Sequence, residues 1–150
     1  MNEEAEAAAA RAVTAHRTIA APRERVFDAW LDANTFATWM VPPGIRASTA
    51  RIDARVLGAY ELTMHGDGNA LMHSGVYREI DPPRRIIFTW ISLGTHFRES
   101  VVTVAFAVNG AATDVVVTHD GLPDAGAEVA HRDGWTAVLE RLDELITTNA

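Results

Sequence analysis

A chain of 150 residues without a cysteine is long enough to bury about 70% of its unfolded surface as one domain. It forgoes disulfides, zinc–thiolate sites and thiol catalysis. The net charge of −7, with no basic patch, argues against nucleic acid or an anionic membrane surface as partner. All 13 basic residues are arginines, which removes Schiff-base chemistry through lysine.

The first residues, MNEEAEAAAARAV, carry acids where a signal peptide needs positive charge, and no run approaches the roughly 20 apolar residues of a membrane span. The expectation is a protein of the reducing cytoplasm, with residues 1–11 as a flexible extension and 12–150 as the single domain. Val13 to Ile19 alternate as a strand. Pro22 is placed to open a helix that carries Val26, Phe27, Trp30 and Leu31. Asn34 is read as the cap of a second short helix holding Phe36, Trp39 and Met40, ended by Pro42–Pro43–Gly44.

Strand signals then follow one another: Ile45–Asp53, Gly58–His65, Leu71–Ile80, Arg84–Ile91, Arg98–Val108 and Thr113–His119. The connections are short and turn-forming, with Gly66–Asp67–Gly68–Asn69 and Asn109–Gly110 the clearest hairpin signals. Connections of that length make antiparallel neighbours. The last element, Asp124 to Thr148, repeats apolar residues at helical spacing (Trp135, Val138, Leu139, Leu142, Leu145, Ile146). At 1.5 Å per residue it is about 37 Å long, enough to cross the domain. Extended backwards, its apolar stripe meets His131 and Glu128.

One strand, two short helices, about six antiparallel strands and one long helix make an α+β protein with helices on one face of the sheet. A strongly curved sheet leaves a hollow against a straight helix. Gly58 and Gly75, inside strand patterns, fit such bends.

Four stretches carry a family resemblance. They are R-T-I-A-A-P-R-E-R-V-F-D-A-W-L-D with W-M-V-P-P over 17–43, G-V-Y-R-E-I-D-P-P-R-R-I-I-F-T-W at 75–90, E-S-V-V-T-V-A-F at 99–106, and T-H-D-G-L-P with H-R-D-G-W-T-A-V-L-E-R-L over 118–142. Together they resemble the bacterial proteins named after the activator of the heat-shock protein 90 ATPase, within the START-like, polyketide-cyclase-like (SRPBCC) superfamily. The resemblance implies a helix-grip fold: a seven-stranded antiparallel sheet around the long C-terminal helix, with a mainly apolar cavity between. Two positions depart from it. Met40 follows Trp39 where the family often has a second tryptophan, and Leu57 precedes Gly58 where it often has paired glycines.

The candidate ligand contacts are Trp39, Met40, Leu62, Met64, Phe88, Trp90, His119, His131 and Trp135. Val115, Val117 and His119 share a strand face by period two, and valines on that face point inward. His131 lies one helical turn before Trp135. The two imidazoles are therefore expected near one cavity mouth, where either could act as a base or bond a carbonyl, or both could simply bond loop carbonyls. Gly134 in mid-helix costs about 1 kcal/mol against alanine. Close approach of a strand or ligand explains it, with a kink as the rival explanation.

Glu99 is expected in a surface ion pair. His65 and His73 are read as exposed histidines flanking a turn, and no third group completes a metal site. No cofactor is expected. The leading expectation is a receptor for a small hydrophobic or aromatic ligand. The alternatives are a cyclase- or hydrolase-like enzyme using His119 or His131, and a chaperone-interacting protein. A homodimer is compatible with either.

Overall fold

Alternation along seven strands produces one buried face, and the chain folds that face around its last helix. The structure, a computed structural model, describes residues 11–148; apart from Arg11, the expected extension lies outside the described residues. Strand β1 (Val13–Ile19) is followed by helices α1 (Arg23–Asp28) and α2 (Ala33–Trp39). Strands β2 (Ala47–Ile52), β3 (Ala59–His65), β4 (Ala70–Asp81), β5 (Arg85–Trp90), β6 (Ser100–Asn109) and β7 (Ala112–Asp120) come next, and α3 (Ala125–Thr148) closes the chain.

The strands form a single sheet in the order β1-β7-β6-β5-β4-β3-β2, and every pair is antiparallel. This is the helix-grip arrangement. Its inner face carries Val102, Val104 and Phe106 of β6, Val115 and Val117 of β7, and Ile86, Phe88 and Trp90 of β5, all buried. Against them lie Trp135, Val138, Leu139, Leu142 and Ile146 of α3.

Local chemistry sets the boundaries. Asp124 begins α3, its carboxylate accepting from Ala127 N at 2.8 Å, as an N-cap acid does. The second helix differs from expectation at its start. Asp32, not Asn34, is the cap, accepting from Thr35 N at 3.0 Å, because the helix already begins at Ala33 and Asn34 lies inside its first turn.

Gly75 permits the bend of β4. A Cβ there would sit 2.0 Å from the carbonyl oxygen of Thr89 and 2.7 Å from the Tyr60 ring, so only glycine fits. The β4–β5 register also shifts between Tyr77 and Glu79, and a bulge of that kind bends and twists a strand.

Three ion pairs strap α3 to the first strand region: Arg17 to Asp143 at 2.8 Å and to Glu140 at 3.9 Å, and Arg11 to Glu128 at 2.7 Å. Arg25 of α1 donates to the carbonyl of Ile146 at 2.8 Å, meeting one of the carbonyls a helix C-terminus leaves without a partner in the helix. Among the described residues no helix is long and apolar enough to cross a membrane.

Candidate ligand-binding cavity

Towards its N-terminal half, α3 does not close on the sheet. A cavity of about 470 Å³ opens there. Its walls are apolar for the most part: Met40, Pro42, Pro43 and Ile45 from the segment after α2, Met64 and Leu71 from β3 and β4, Trp90 from β5, and Trp135 and Val138 from α3. One end is polar, formed by His73, Ser92 and His131, with Gly94 beside them. Asp133 is the charged residue in the lining, and no arginine reaches it among the described residues.

Behind the polar end runs a hydrogen-bonded chain that fixes two rings. The Trp135 indole N–H donates to His119 Nδ1 at 3.0 Å, so this nitrogen carries no proton and Nε2 does. The Nε2–H donates to Ser100 Oγ at 2.7 Å, and the Ser100 hydroxyl donates to the carbonyl of Trp90 at 2.6 Å. Every member is satisfied, as a buried polar network requires. Burial, reinforced by the neighbouring His131 ring, pushes His119 down to about 3. A proton on Nδ1 would also face the indole N–H. His119 therefore has no lone pair left for a substrate, and its role is to hold the two tryptophans.

His131 differs. Its Nδ1–H donates to Ala127 O at 2.7 Å, which leaves the Nε2 lone pair available. Burial holds its pKa below the ordinary histidine value, opposed by the Ala127 carbonyl. His73 is oriented the same way, with Nδ1–H on Leu71 O at 3.1 Å. Burial lowers it to about 4 against the opposing backbone carbonyls of Leu62 and Leu71. The polar end is thus rich in hydrogen-bonding atoms and uncharged at pH 7.

The expected meeting of His119 and His131 occurs, with ring centroids 4.8 Å apart. Of the nine expected contacts, Met40, Met64, Trp90, His131 and Trp135 line the cavity. The other four stand behind that wall. Trp39 is turned away because its indole N–H donates to Ala29 O at 2.9 Å and its ring sits edge-on against Trp30. Phe88 packs edge-on into Tyr60 and Tyr77, Leu62 is wholly buried, and His119 is covered by Trp90, Trp135 and His131.

His73 overturns the turn-histidine reading. It is buried, lies 4.8 Å from the Trp90 ring and lines the cavity, because β4 begins at Ala70 and places Leu71, His73 and Tyr77 on its inner face. Ser92, Ser100 and the short 3₁₀ turn Leu93–Thr95 were also not anticipated. Glu99 pairs with Arg78 at 2.7 Å on the surface, as expected. Glu128, on the backward extension of the helix stripe, is held by Arg11 and does not line the cavity. No three acidic or histidine side chains among the described residues are grouped to hold a metal ion.

A curled antiparallel sheet gripping one long helix, with a cavity between them, defines a helix-grip protein of the START-like, SRPBCC class. The description "Activator of Hsp90 ATPase homolog 1-like protein" matches residues 20–147, and the chain belongs to that family. Among solved structures, a protein of Chromobacterium violaceum is 30% identical with a TM-score of 0.78, over 90% of this chain and 96% of that one. An HSP90 activator from Plasmodium falciparum is 25% identical with a TM-score of 0.71, over 91% and 96%. A Nitrosomonas europaea protein, 19% identical over 93% and 97% with a TM-score of 0.78, shares the fold. No curated protein matches the chain.

Proposed function

We propose that the protein is a receptor for a small, mainly apolar molecule held between the sheet and α3. Gly134 carries this reading. A glycine in mid-helix costs about 1 kcal/mol against alanine, yet a Cβ on Gly134 would meet nothing within 4 Å. No close strand demands it, and α3 runs on without interruption. Gly134 lines the cavity, on the same stripe as His131, Trp135 and Val138. What the glycine preserves is space.

The volume falls within the roughly 300–1,000 Å³ of small-molecule sites. Met40 and Met64 supply adaptable walls, and Trp90 and Trp135, 5.3 Å apart, supply flat ones. A cytoplasmic setting belongs to the same reading, in keeping with the cysteine-free composition.

The test is a titration with N-phenyl-1-naphthylamine, an uncharged fluorophore that brightens in apolar surroundings. The wild type should give saturable enhancement. Gly134→Leu, whose side chain enters the cavity, should bind at least tenfold more weakly while melting no lower. Absence of saturable enhancement in the wild type contradicts the receptor reading and favours the chaperone-interacting alternative, the Plasmodium falciparum neighbour being an HSP90 activator. Unchanged binding by Gly134→Leu places the probe elsewhere and contradicts it equally.

A further inference from the structure

The polar end of the cavity has a definite hydrogen-bonding character. Resting on the receptor reading, we infer that the cavity selects ligands with an uncharged hydroxyl head group, a phenol or enol on an apolar ring body, and rejects carboxylates. One acceptor is fixed by geometry. His131 commits Nδ1–H to the Ala127 carbonyl, so its Nε2 lone pair is left to offer, whereas the His73 ring faces two backbone carbonyls, of Leu71 and Leu62. Two donors join that acceptor. Trp90 Nε1 is buried with no hydrogen-bond partner among the described residues, and the buried Ser92 hydroxyl, whose oxygen accepts from Thr95 N in the capping box of the 3₁₀ turn, donates to none. Trp90 and Ser92 are only 3% and 2% exposed, and both line the cavity. A buried donor left unpaired costs roughly 1–3 kcal/mol, so the wall is incomplete without an acceptor.

Gly94 keeps the space beside His131 and Ser92 uncrowded. The point its Cβ would occupy lies 3.1 Å from His131 Cε1, 3.4 Å from His131 Nε2 and 3.5 Å from Ser92 Oγ, so even a methyl there would press on the imidazole. A side chain there would intrude between the acceptor and the hydroxyl; glycine leaves the gap. A phenolic O–H donates to the imidazole, and its oxygen accepts from the serine or the indole.

A carboxylate meets the two donors but fares worse on the remaining counts. It has no proton for the His131 lone pair, no arginine in the lining to offset its desolvation, and Asp133 on the same wall. A site built to hydrogen-bond a hydroxyl also discriminates strongly against analogues that leave its polar groups unpaired.

The experiment compares 2-naphthol with 2-naphthoate at pH 7, where only the second is charged, each displacing N-phenyl-1-naphthylamine. The wild type should bind the naphthol at least tenfold more tightly. Ser92→Ala and Gly94→Ala should each weaken naphthol binding three- to tenfold relative to the fluorophore, whose own affinity is measured for each variant. Equal or tighter binding of the naphthoate, or a naphthol preference untouched in both variants, overturns the head-group inference while the receptor reading stands. Failure of the wild type to bind the fluorophore overturns both.

Discussion

His119 titrates far below the range of an ordinary histidine, and this has a measurable consequence. In the unfolded chain it takes up a proton near pH 6.5; in the folded protein it does so only at about 3, and His73 at about 4. The unfolded state therefore binds more protons throughout the interval between, and stability rises with pH there. The contribution is complete above about pH 6.5 and is lost as the pH falls, down to about 4 for His73 and about 3 for His119. Glu79, Asp81 and Asp114, whose carboxyls are held low chiefly by hydrogen bonds from Arg85, Arg84 and Thr18, lose their own contribution only at lower pH. Urea midpoints should therefore drop between pH 7 and pH 5, and His119→Gln should flatten that slope. A wild type equally stable at both values, or a variant with the same slope, contradicts the buried neutral ring.

Leu57 gives a second residue-scale prediction. Its φ is +69° and it is 76% exposed, so it holds a left-handed conformation that disfavours a side chain by roughly 1–2 kcal/mol with little packing in return. Leu57→Gly should raise stability by up to about 1 kcal/mol, less the backbone entropy glycine adds to the unfolded chain; a lower melting temperature contradicts this. At this scale the sequence was legible where period two applied. Val115, Val117 and His119 do face inward. It was illegible where a contact depends on register. Ser100 reaches His119 because β6 and β7 pair Val102 with His119 and β5 and β6 pair Trp90 with Ser100, which no local pattern encodes. His73 was hidden by the nearby turn and by Gly75, which interrupts the alternation of Leu71, His73 and Tyr77.

Among the elements, α3 is two helices in function. Its C-terminal half packs Leu139, Leu142 and Ile146 into the core, and its N-terminal half faces the cavity with His131, Gly134 and Trp135. The change of character along the stripe was readable, since apolar residues at helical spacing give way to histidine and glycine. Its neighbours were not, because they come from β3, β4 and the turn after β5, far away in sequence. Gly134→Ala isolates the trade. Helix propensity alone should add up to about 1 kcal/mol, since the new methyl meets no clash. An unfolding free energy that falls instead would show that the glycine serves the backbone and not the cavity.

For the whole molecule, the helix-grip arrangement follows from short connections that force antiparallel neighbours and from one helix long enough to span the sheet. The connections β2–β3 through β6–β7 all pair sequential strands, so topology was largely dictated by turn chemistry. The exception is β1, which crosses to pair with β7 and lets α1 and α2 cover one part of the open face. Cavity size was not dictated locally. It reflects how far the bent β4 and the segment after α2 stand from α3.

The methionines offer the most direct test of that hollow as a binding site. Met40 and Met64 line it, whereas Met72 is 54% exposed on the other face of β4. With methyl-¹³C methionine and N-phenyl-1-naphthylamine added stepwise, the Met40 and Met64 methyl signals should shift together and saturate while that of Met72 stays in place. Static Met40 and Met64 signals, or a shift confined to Met72, would contradict a ligand held between the sheet and its helix.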